Sequence, residues 1–224
     1  MLLSIGGLVA LALLVVAGLL ASVPAFYRGR LSPQNGPTEQ QARRLITKVS
    51  ALQAGLQRPG RFEAAVTEAE INAWLATDLP ANHAAFLPTG WTDPRVELSP
   101  HRCRVGVRVS RGPCSTILWI DARVQLREVN QISIALDDAR LGAVPLPHGP
   151  ILGWLSRRLT ALGMLPQSKR LDGRTVLVVY IPPSSGARAA MSRRLEALAV
   201  GAGELLLSGE TSPVGGGVTR QDTR

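Results

Sequence analysis

Acid–base chemistry asks for two carboxylates held close together with different proton affinities. Two pairs in this chain qualify on composition, Glu68 with Glu70 and Asp137 with Asp138. The first pair falls inside Thr67-Glu68-Ala69-Glu70, a capping box in which the threonine oxygen accepts from the backbone N–H of Glu70 and the Glu70 carboxylate reaches back to Thr67. Capping and the helix dipole account for both glutamates. Asp137 and Asp138 are neighbours on a stretch of strand character, which sends them to opposite faces and argues against a working dyad. Nucleophilic hydrolysis needs a serine or cysteine on a sharp turn near a histidine and a carboxylate. No G-x-S-x-G elbow occurs, and Ser184-Ser185-Gly186 reads as loop. His83, His101 and His148 do not combine with Cys103 and Cys114 at zinc-site spacing. With no P-loop, no G-x-G-x-x-G after a strand and no H-E-x-x-H, the sequence predicts a protein that is not an enzyme, with no catalytic residues, metal or cofactor.

What the sequence does declare is a location. Nothing before Arg28 is charged, and Leu2 to Phe26 is almost wholly Leu, Val, Ala and Gly. A helix rising about 1.5 Å per residue crosses a hydrocarbon core with roughly 20 such residues. Residues 1–27 are therefore expected to form a transmembrane helix or signal anchor, making a single-pass membrane protein. Val23-Pro24-Ala25 offers a small-residue cleavage tripeptide, but the n-region lacks Lys and Arg and the apolar core is long for a signal peptide. Arg28 and Arg30 favour a cytoplasmic domain by the positive-inside rule, whereas the free α-amine and the ease with which long domains translocate favour the other side. The extracytoplasmic orientation is the expectation here. Residues 28–37, with two prolines and two glycines, read as a linker.

The 224-residue chain has 25 basic and 16 acidic residues, a formal charge of +9, all of it beyond the apolar run. Such a surface favours anionic neighbours such as lipid headgroups. With 4% aromatic residues and no recognisable reading helix, nucleic acid is not an expected partner. Residues 38–209 are enough for one domain, and the Gly-rich stretch 210–224 reads as a disordered tail. Thr38 caps an amphipathic helix over residues 39–57, and a second helix follows Thr67 until Pro80. From Val105 the apolar period changes to two, predicting a three-stranded antiparallel meander over residues 105–141. A hairpin turn at residues 110–113 separates Cys103 from Cys114, and simple pairing about it does not oppose them. A bridge would need a bulge or another register. Pro150 starts a helix whose Ile151, Leu152, Leu155, Leu159 and Leu162 share a face, and later strands cover 175–181, 193–200 and 204–209. The fold class is α+β: the N-terminal transmembrane helix, then a curved antiparallel sheet packed with two or three amphipathic helices.

One apolar span, an amphipathic helix, Thr67-Glu68-Ala69-Glu70-Ile71-Asn72 opening a second helix, and a meander ending in Leu141-Gly142-Ala143-Val144-Pro145-Leu146-Pro147 together make a pattern. It resembles bacterial single-span envelope proteins of the YpmS type. The resemblance implies long curved strands wrapped on a helix, similar to tubular lipid-binding domains, with no catalytic residues to carry across. A sheet holding a helix that does not fill it leaves an apolar groove suited to a lipid chain. The expectation is a membrane-anchored, non-enzymatic module in the cell envelope that binds membrane lipid, an anionic amphiphile or another apolar molecule. The alternative is an assembly protein with a closed core whose partner is another membrane protein.

Overall fold

A computed structural model describes residues 18–29, 38–171, 173–183 and 191–214. The first half of the chain runs α1 (Ala25–Gly29), α2 (Glu39–Gly55), β1 (Gly60–Thr67), α3 (Glu68–Asn82), a 3-10 turn (Ala84–Phe86), β2 (Trp91–Ser99) and β3 (Arg102–Arg111). The second half adds β4 (Cys114–Glu128), β5 (Gln131–Leu141), β6 (Val144–Pro145), α4 (His148–Ala161), β7 (Leu165–Leu171), β8 (Arg174–Tyr180), β9 (Met191–Val200) and β10 (Glu204–Pro213). Two antiparallel sheets result. The larger is ordered β2-β3-β4-β5-β8-β7, with β6 paired to β5; the smaller is β1-β10-β9.

The expected transmembrane helix over residues 1–27 is contradicted where that segment is described, at residues 18–27. Among the described residues no helix is long and apolar enough to cross a membrane. Helical geometry stops after Leu20, residues 22–24 are non-helical, and the five-residue α1 follows. Pro24 explains the break, because it lacks an N–H and disfavours helix at the residue before it. The described end of the run finds partners on the large sheet. Ala143 N–H donates to the carbonyl of Leu19 at 2.8 Å, and the Thr116 hydroxyl donates to that of Leu20 at 2.5 Å. Phe26 meets Trp119 edge-on, and Tyr27 is fully buried with its hydroxyl donating to the Asp93 carbonyl at 2.6 Å. Residues 1–17 lie outside the described part, as do 30–37 of the expected linker and 215–224 of the expected tail. That tail begins later than expected, since β10 pairs with β1 and β9 through residues 210–213.

The sheet part of the expectation is compatible with what is observed, with three additions. The meander has an extra strand in front, β2, whose first four residues fall in a proline-containing stretch, 81–94, that reads from sequence as loop. Pro94 fits there because β2 is an edge strand whose register shifts between Thr92 and Arg95. β7 forms the opposite edge in a stretch whose polar residues gave no alternating signal. Pro80 lies inside the last turn of α3, which continues to Asn82.

The two faces of the large sheet differ in chemistry. One is apolar and carries α3 and α4. Ile71 and Leu75 of α3 pack with Val96, Leu98, Val105 and Val124, joined by Val200 and Leu205 from the small sheet. Farther along, Ile151, Leu152, Leu155 and Leu159 of α4 cover Ala122, Leu136, Leu177 and Val179. The other face carries arginines and carboxylates and receives the strap formed by residues 19–29.

Candidate binding groove

The carboxylates singled out by sequence are structural. Thr67 caps α3 in a complete capping box with Glu70, and Lys48 of α2 donates to Glu70 at 2.8 Å. Burial pushes the Glu70 carboxyl up, but the hydrogen bonds from Lys48 and Thr67 outweigh it and hold the group below the ordinary carboxylate value. Glu68 accepts from the Leu98 N–H at 2.7 Å. Asn72 clamps both backbone groups of Val96, accepting from its N–H at 2.8 Å and donating to its carbonyl at 2.7 Å. The whole motif from Thr67 to Asn72 therefore fastens α3 to α2 and to β2.

Asp137 and Asp138 depart from the expectation of opposite faces. Asp121 pairs with Asp138 but Ala122 pairs with Leu136, so Asp137 is an extra residue in β5. This β-bulge re-aims its side chain. Asp137 accepts from Arg123 at 2.6 Å and Arg174 at 3.1 Å, while Asp138 accepts from Arg140 at 2.8 Å. Each carboxylate is committed to arginine, and both engage the strap-bearing face.

Cys103 and Cys114 are free thiols at opposite ends of the β3–β4 hairpin, where they pair with Ala122 and Arg111. Burial, with Asp121 and Glu68 adding to it, pushes the Cys103 thiol up to about 11. The three histidines do not converge. His83 lies between the rings of Trp74 and Phe86 and 3.4 Å from Asp78, His101 occupies a left-handed turn position, and His148 begins α4. Among the described residues no group of His, Cys, Asp and Glu could hold a metal ion.

An apolar concavity lies on the helix-bearing face, beside α4. Val105 and Val107 of β3 with Leu118 and Ile120 of β4 form its floor; Pro150, Ile151 and Trp154 of α4 form one wall, and Trp91 the other. Its volume is about 320 Å³ and its lining is almost wholly apolar. Trp91 and Trp154 stack with ring centroids 6.4 Å apart. The Arg158 guanidinium lies 5.8 Å over the Trp154 ring, a cation–π arrangement that places positive charge beside the groove. Trp91 also borders a second cavity, of about 570 Å³, against α3 and the 3-10 turn. The α4 residues were legible as a stripe on a helix. Trp91 was not, because its segment reads as a proline-containing loop.

No known protein family, curated protein or solved structure matches this chain.

Proposed function

We propose that the protein is a non-enzymatic module of the cell envelope that works at a membrane and holds a lipid chain or another apolar molecule in the groove between α4 and the large sheet. The observation that carries this reading is the groove itself, open, apolar and walled by two stacked tryptophans. Binding sites for small apolar ligands are concave, apolar and on the order of 300–1,000 Å³, and this groove lies at the lower end of that range.

Native mass spectrometry of the full chain purified in mild detergent tests the proposal, together with quenching of tryptophan fluorescence by a brominated fatty acid. Retained lipid, or saturable quenching lost in Trp154→Ala, supports it. Lipid-free protein with no saturable quenching overturns it.

The competing reading, an assembly protein, draws on a different surface. Ile46 and Val49 of α2 and Phe86 of the 3-10 turn are exposed beside the α2–α3 groove, an apolar surface of the kind that docks another protein.

A further inference from the structure

The arginine-bearing face of the large sheet has a trough of its own, and it is the register that makes it. The central strand β5 presents two small residues there, Ser133 and Ala135, while β4 presents Arg123 and Arg127 on one side and β8 presents Arg174 on the other. Long side chains flanking short ones leave an open volume of about 410 Å³. Lys169 of β7 pairs with Val176 in the same row, adding a fourth cation to that face.

The cations are only partly neutralised. Asp137 ties Arg123 to Arg174 across one end of the trough. Arg127 has no ion-pair or hydrogen-bond partner among the described residues, and neither has Lys169. A guanidinium has five N–H donors in a planar fork, so Arg123 and Arg174 keep donors free after meeting Asp137. Asp137 thus orients two guanidinia toward a space that a third borders. That arrangement matches a tetrahedral oxyanion, which accepts paired hydrogen bonds from several arginines at once.

We propose that this trough binds a phosphate group, free or carried on a lipid headgroup. It lies on the opposite face from the apolar groove, so it does not depend on the proposed function and serves a different ligand moiety.

The test is calorimetric titration of the full chain with inorganic phosphate at low ionic strength, beside sedimentation with vesicles of phosphatidylcholine alone or with one-fifth phosphatidylglycerol. Arg127→Gln, Arg174→Gln and the control Arg111→Gln are compared with the parent chain. Saturable phosphate binding that weakens roughly tenfold in the Arg127 and Arg174 variants, and not in the Arg111 control, supports a site for free phosphate. Sedimentation only with the phosphatidylglycerol vesicles, with the same dependence on Arg127 and Arg174, supports a headgroup site. Binding to neither probe, or binding that falls equally in the Arg111 control, overturns the proposal, the latter showing a net-charge effect. Arg127 holds no partner among the described residues, so its variant retains the parent's melting temperature and keeps the test free of misfolding.

Discussion

The ring of Tyr27 occupies the space that a side chain at Gly106 would fill: a Cβ added there would come within 2.8 Å of the Tyr27 Cδ2 atom. The two residues are distant in sequence, and their fit marks the strap of residues 19–29 as part of the domain's packing. Tyr27→Ala should cost about 3–5 kcal/mol, as for other large buried aromatics. Gly106→Val should displace the ring and cost about 1–3 kcal/mol. Because both changes disrupt one contact, the double variant should lose less than the sum, a shortfall that urea unfolding curves will measure.

Asn72→Ala should destabilise the chain by about 1–3 kcal/mol, since it leaves the N–H and the carbonyl of Val96 without their side-chain partners. Asn72→Asp should restore only the accepting half of the clamp, and an unfolding midpoint between those of the parent and the alanine variant would show it.

The Glu70 carboxyl is held below its ordinary value in the fold, so its contribution is present above the unfolded pKa of about 4.3 and is lost as pH falls through the folded value. Thermal melts of the parent should therefore drop steeply below about pH 4.3, and Glu70→Gln should flatten that decline. At neutral pH the same variant should melt lower than the parent, because Lys48 and Thr67 lose a charged acceptor.

Cys114 is exposed and Cys103 is held as a neutral thiol. An alkylating reagent at pH 8 should modify Cys114 first, with Cys103 slower by roughly 100-fold or more, since only the thiolate reacts. Peptide mapping over a time course distinguishes them, and labelling at equal rates would contradict the assigned environments.

Val107→Phe adds a ring to the floor of the apolar groove, where there is open volume to receive it. Quenching by the brominated fatty acid should fall with the unfolding transition retained. Undiminished quenching would place the apolar ligand elsewhere.

Local signals in the sequence were strong where a single element explains itself. The capping box at Thr67 needs only four consecutive residues, the β4 alternation only its own period, and the α4 stripe only one helix face. Other features depend on distant partners. Hydropathy cannot distinguish lipid from a protein interior as the destination of an apolar run, so Leu19 to Tyr27 read as membrane although the receiving surface is Gly106, Trp119 and Gly142. The same holds for Asp137, whose orientation follows from a one-residue slip between β4 and β5 that neither strand announces. The arginine trough is a property of register, because Ser133 and Ala135 matter only once Arg123 and Arg174 flank them. Strand β7 had no period to read, and β2 was obscured by Pro94, which an edge strand accommodates.

The small sheet carries a kinetic consequence. Strand β1 is hydrogen-bonded along its length to β10, with Gly60 opposite Thr211, about 150 residues away. Closing so long a loop is slow and entropically expensive, and its reward arrives only when the partner strand does. During synthesis β1 therefore emerges early, and its ladder N–H and C=O groups have no partner strand until β10 has left the ribosome. The meander, whose strands are neighbours in sequence, can assemble in that interval. The first strand of the domain is in this sense completed last, and the interval before it is covered is when the chain is most open to association with other molecules.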